Sequence, residues 1–154
     1  MASRSLSLPV VSRVFASLLL EAIAPASTED HLIVTPKLAL IGSPTLSLTP
    51  DLTKADIDVE QAVFSGYTAG GSAVTLTSPG IVRQGPGIQL LAGNVTWVLT
   101  TADPLVTGTI YGAYLWDATF GLIACGYFDE PVVLGAVGDY LDLFAGVPVV
   151  LQAL

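Results

Sequence analysis

From residue 84 to residue 154 the chain has no Lys, Arg or His. The only ionisable carboxylates of that half are Asp103, Asp117, Asp129, Glu130, Asp139 and Asp142. The rest is apolar, small or neutral polar. Such a stretch cannot grip a polyanion, because no cation is present to neutralise phosphates. Its apolar side chains have to enter a core or an interface, since large exposed apolar patches associate. This half therefore reads as scaffold.

The rest of the composition points the same way. The chain has 154 residues, 52% of them hydrophobic and 12% charged, against a usual charged share of about 25%. That length suits one domain with a real core. The apolar excess predicts self-association. Net charge is −8, and Arg4, Arg13, Lys37, Lys54 and Arg83 are scattered over the first 83 residues. Neither nucleic acid nor an anionic membrane surface is an expected partner. The charge-free stretch over residues 84–102 contains Pro86, glycines and Asn94, unlike a spanning helix.

Residues 1–30 read as an arm or docking segment, and residues 31–154 as the β domain. Val10, Val14, Leu18 and Ala22 recur at helical spacing, and Pro25 would stop such a helix. The segment is expected to be a short helix over 9–24, or a pair of extended pieces docked on a neighbouring subunit. A secretory leader is not expected, because Arg13 and Glu21 leave only seven residues between charges.

From His31 the texture is β. Leu32-Ile-Val34 and Lys37-Leu-Ala-Leu-Ile41 flank Pro36, which predicts an edge-like or broken strand. Leu46 and Leu48 alternate with polar neighbours. Residues 50–56 read as a loop or one helical turn. Val74-Thr-Leu-Thr77 alternates. Residues 78–87, with two Pro and three Gly, are expected to be irregular. Later runs lie at 95–101, 106–116, 120–128, 132–134, 140–144 and 147–151. Asp117-Ala-Thr119 is placed as a hairpin loop and Asp129-Glu-Pro131 as a further turn. Residues 135–138 read as flexible. This spacing predicts an all-β fold, an antiparallel β-sandwich of jelly-roll type.

Chemistry is sparse. Cys125, the single cysteine, lies in an apolar run and reads as a buried structural thiol. His31, the single histidine, stands far from it, so no Cys–His or Ser–His motif forms. Asp56, Asp58 and Glu60 would share one face of a strand, a solvated face in preference to a calcium site. Gly85-Pro-Gly87 lacks the Lys of a phosphate loop. Asn94-Val-Thr96 matches a glycosylation sequon and means little without a leader. Trp97, Trp116, Tyr111, Tyr114, Tyr127 and Tyr140 read as core aromatics in preference to a sugar groove. No catalytic, cofactor-binding or metal-binding residues are assigned, and no cofactor is expected.

One constellation goes further. Thr49-Pro-Asp-Leu-Thr-Lys-Ala-Asp56 is followed by Phe64-Ser-Gly-Tyr67, then by Thr109-Ile-Tyr-Gly-Ala-Tyr-Leu115, Phe128-Asp-Glu-Pro131 and Gly138-Asp-Tyr-Leu-Asp-Leu143. This order resembles small virion structural proteins of tailed bacteriophages over about residues 32–151. In those an Asp-Leu-Thr-Glu-Ala segment and a Phe-x-Gly-Tyr element precede a hairpin that ends in a Phe-Asp-x-Pro stretch. The chain departs from the pattern at Asp56, where an apolar residue is usual, and at Gly126-Tyr127, where a cation precedes the Phe-Asp pair. The resemblance implies a non-catalytic capsid decoration (cement), spike or tail accessory protein on the outer surface of the virion. The implied partners are the major capsid or tail protein and further copies of this chain, as a homotrimer. It carries over no site residues. A carbohydrate-binding or adhesin module, or a filament subunit assembled by strand addition, is the competing expectation.

Overall fold

The computed structural model describes the backbone at residues 2–5, 10–11, 36–74, 76–84, 87–92, 94–101, 108–118, 121–144 and 146–147, and side chains at 36–74, 94–101, 108–118 and 121–143. The fold is all-β. Its strands are β1 (Ala2–Ser5), β2 (Val10–Val11), β3 (Lys37–Ile41), β4 (Ser72–Ala73), β5 (Leu76–Gln84), β6 (Gly87–Ala92), β7 (Val95–Val98), β8 (Gly108–Asp117), β9 (Gly121–Leu134), β10 (Tyr140–Phe144) and β11 (Gly146–Val147). Among the described residues one short helix, α1 (Lys54–Asp58), interrupts them. Three sheets form, with orders β1-β10-β7, β11-β6-β5 and β2-β9-β8-β3-β4. Every pairing is antiparallel except β1 with β10, which is parallel.

The five-stranded sheet carries the main core. Its central strands are buried on both faces, which is why Leu38-Ala-Leu-Ile41 and Leu122-Ile-Ala-Cys125 read as unbroken apolar runs. On one face Ala39, Ile41, Tyr114, Leu122 and Cys125 pack with Ile57 of α1. Leu46, Leu48, Leu52, Trp116 and Tyr127 close the rim of that cluster. In β7 the pattern is the simpler alternation, with Val95 and Trp97 in and Thr96 and Val98 out. Register sets Trp97 beside Leu141 and Val95 beside Leu143, so these four buried side chains share one face.

Several sequence expectations are corrected. Val10–Val11 is strand, paired with Cys125 and Ala124, so it does not start a helix over 9–24. The remainder of that helix lies outside the described residues, as do Leu32-Ile-Val34 and His31. Leu46 and Leu48 belong to no strand; they pack against the core cluster from an irregular segment. Residues 78–84 are regular after all. β5 is the edge of its sheet and its ladder skips from Leu76 to Ile81, so Pro79 and Gly80 sit where no pairing is required. Asp129-Glu-Pro131 is not a turn. β9 continues through it, and register passes from Gly112↔Tyr127 to Ile110↔Val132. Residues 128–131 therefore bulge out opposite Tyr111, with Asp129, Glu130 and Pro131 exposed. Residues 135–138 form an ordered turn. Its first two backbone N–H groups, of Gly135 and Ala136, donate to the Asp139 carboxylate, both at 2.9 Å.

The β8–β9 hairpin forms as expected, with Asp117 opposite Gly121. The β3 edge is closed rather than open. Beyond the two-residue β4, the Leu40 N–H donates to the Tyr67 hydroxyl (3.1 Å), and Ala62 N–H donates to the Leu40 carbonyl (2.9 Å). Gly71 makes this closure possible. Its φ is +78°, and a Cβ there would lie 2.0 Å from the Leu38 carbonyl oxygen, so only glycine lets the backbone approach this closely.

Candidate functional site

The densest set of polar side chains lies where α1 and the 61–71 segment meet the β3–β8 edge. Thr53 caps α1 with a reciprocal box. The Asp56 N–H donates to Thr53 Oγ1 (3.3 Å), while Asp56 Oδ2 accepts from the Thr53 N–H (3.0 Å) and hydroxyl (2.6 Å). These bonds, that of the Thr53 hydroxyl first, hold the Asp56 carboxyl below its usual range. The cap aims Ile57 at the core and Lys54 and Asp58 along the rim.

Asp58 sits at the centre. One oxygen pairs with Lys54 one helical turn earlier, and the other accepts from the Tyr114 hydroxyl (2.8 Å). The Asp58 carbonyl accepts from the Gln61 side-chain amide (3.0 Å). Gln61 Oε1 in turn accepts from the Tyr67 hydroxyl (3.1 Å) and the Gly70 N–H (2.6 Å). The Gly70 carbonyl accepts from the Trp116 indole N–H (2.9 Å). Two ammonium groups flank that indole. Lys54 Nζ is 4.1 Å and Lys37 Nζ 5.4 Å from its ring centroid, within cation–π range. They are the only cations among the described side chains.

The electrostatics make this a brace. Burial, followed by the bond to Asp58, pushes the Tyr114 hydroxyl far above its ordinary value. Burial likewise pushes Tyr67 up to about 12. Both phenols stay protonated at neutral pH, so each serves as a donor and neither as a base. Tyr127, also raised chiefly by burial, donates to the Leu46 carbonyl at 2.7 Å. That bond ties the irregular 42–49 segment to β9.

Asp56, Asp58 and Glu60 do not share a strand face. Asp56 and Asp58 lie in α1, where the helical period separates them, and each has a different partner. No group of three or more His, Cys, Asp or Glu among the described residues is arranged to hold a metal ion. Of the six aromatics, Trp97 and Tyr114 are buried and the other four are half-buried. The Trp97 indole N–H has no hydrogen-bond partner among the described residues, and its ring stands 6.5 Å from that of Tyr67. Cys125 is buried at 1% exposure, which pushes its thiol up to about 11. No helix among the described residues is long and apolar enough to cross a membrane.

Sequence reasoning missed the brace. Its one local signal was Thr53-x-x-Asp56, a variant of the capping box. Lys54 and Gln61 are near neighbours of Asp58 in sequence, but Tyr114 lies 56 positions away, a pairing that no local pattern reveals. Compared with protein-family models, curated proteins and solved structures, the chain matches none.

Proposed function

We propose that this protein is a non-catalytic structural component of a tailed-bacteriophage virion, of the capsid-decoration or spike type. The observation that carries the reading is the use made of its polar side chains. Asp56, Asp58, Gln61, Tyr67, Tyr114, Trp116, Tyr127 and Asp139 each hold backbone or one another in place. A scaffold needs that arrangement; an enzyme needs such groups aimed at a substrate.

The segments that carry the resemblance agree with this role. Residues 50–67 form the capped helix and its tie to the sheet edge. Residues 109–116 form the buried strand β8. Residues 128–131 form an exposed acidic bulge, a natural contact point for a partner. Val59, Val63, Val133 and Val137 are 80%, 71%, 57% and 60% exposed, which supplies apolar surface for association. On this reading the sheets close as a jelly-roll-like sandwich, the chain assembles as a homotrimer, and it binds the major capsid or tail protein. The net charge of −8 favours the outer surface, away from packaged genome. Native mass spectrometry of the purified protein, with its co-sedimentation on particles lacking it, tests the reading. Trimers that saturate a particle are expected. A dispersed monomer that never sediments with particles would overturn it.

A further inference from the structure

We propose that β1 and β2 are exchanged between copies, so that the arm of one chain completes the sheets of its neighbour. The inference deepens the assembly reading above by naming the segment and the edges it fills.

The two pieces of the arm do one job in two places. β1 is the outer strand beside β10, with Ser3 in register with Asp142. β2 is the outer strand beside β9, with Val10 in register with Cys125. A single arm thus covers the edges of two sheets. Without it both edges present unpaired backbone groups, which attract any extended chain nearby.

Residues 12–35 separate β2 from the first described residue of the β domain, Pro36. Those 24 residues can span up to about 80 Å when extended. A compact chain of this length has a radius of gyration of roughly 15 Å. That upper limit puts the edges of an adjacent copy within the length of the connection. The contacts are identical on its own edges and on a neighbour's, so local concentration decides between them. In a close array of copies, as on a particle surface, neighbouring edges are as concentrated as the chain's own.

The order of folding favours exchange as well. β1 pairs with residues 141–144, near the opposite end of the chain, so this closure is among the most non-local in the fold. Non-local pairings form late, after the loop-closure cost of the rest has been met. By then the body offers finished edges, and an arm not yet placed meets whichever copy is adjacent.

The test uses full-length chains in a Cys125→Ser background. One preparation carries Ser3→Cys and a second, mass-tagged preparation carries Asp142→Cys. Paired strands lie about 4.8 Å apart, within disulfide range, so these two thiols meet only if β1 of one chain lies on β10 of another. The two are refolded together, oxidised, and analysed by intact mass and non-reducing electrophoresis. A mixed covalent dimer is expected. It should exceed by at least about tenfold that from Ser3→Cys with Asp129→Cys, because register-matched thiols react at a raised effective concentration. Single chains carrying both Ser3→Cys and Asp142→Cys supply the converse arm. If they close only within themselves while the mixed pair stays uncoupled, exchange is refuted. No disulfide in either arm refutes it too, because the register would then be absent. Neither result bears on particle binding: trimers that bind particles without mixed dimers would remove the exchange and leave the virion reading standing.

Discussion

Ile57→Ala tests the docking of α1 on the five-stranded sheet. Ile57 is fully buried and is the only buried residue of the helix. It packs in one cluster with Ala39, Ile41, Tyr114, Leu122 and Cys125. Truncation removes three carbon atoms, worth roughly 2.4 kcal/mol at about 0.8 kcal/mol per buried methylene. The void adds on the order of 1 kcal/mol, because strands held by ladders on both sides relax little. Alanine is the better helix former, which returns about 0.5 kcal/mol. The net expectation is a loss of about 3 kcal/mol. For a chain of this length that lowers Tm by roughly 6–12 °C. Urea unfolding followed by tryptophan fluorescence measures it, with Val59→Ala as the control. Val59 is 80% exposed and should change stability by less than about 0.5 kcal/mol. If Ile57→Ala falls within that same range, α1 is not seated on the sheet and the brace described above does not exist.

Gly71→Ala should destabilise by more than about 2 kcal/mol, because left-handed strain adds to a backbone clash, whereas Gly121→Ala should cost only about 1 kcal/mol. Gly121 has a similar φ of +75° with nothing near its Cβ position, and equal losses in urea denaturation would refute the close approach at Leu38. The Asp139 carboxyl is held below its usual range by the backbone N–H of Ala136, then of Gly135. A depressed folded pKa means that its contribution is present above the unfolded value, about 3.9, and is lost as pH falls through the folded value. Carboxyl carbon shifts in an NMR titration should show a midpoint under about 3.9, and one at or above it would count against the capped turn. Cys125, buried with its thiol raised to about 11, should resist iodoacetamide at neutral pH and react on addition of urea; rapid labelling of the folded protein would contradict its burial. Tyr114→Phe leaves one Asp58 oxygen to water and should cost about 1–2 kcal/mol. A double-mutant cycle with Asp58→Asn should show coupling of at least about 0.5 kcal/mol, and strict additivity would break the assigned bond.

How far the sequence could be read depended on how local each determinant was. The β class, the β8–β9 hairpin, a strand within 95–101 and the burial of Cys125 follow from residue type, side-chain period and turn chemistry within a few residues. The capped helical turn at 54–58 was half-legible, since Thr53-x-x-Asp56 is a local signal. The regularity of 78–84 was not. Proline and glycine there argue against a strand unless that strand lies at a sheet edge with a bulge, and edge position is a property of the whole sheet. The same holds at residues 128–131, where a turn and a bulge have the same composition and only the register with β8 separates them.

The sequence by itself determined that this chain folds as β structure, carries no cationic surface in its second half and has more apolar side chain than its few charges can offset. Those properties depend on composition and short-range period. Only the tertiary structure decided what the polar residues are for. Asp58 meets Tyr114 across 56 positions and Trp116 meets Gly70 across 46, because β3, β8 and α1 fold together. It likewise decided that residues 2–5 and 10–11 lie on the edges of two sheets. A strand edge accepts any extended segment of suitable register, so its occupant is chosen by the finished surface and not by the pattern of the segment that fills it.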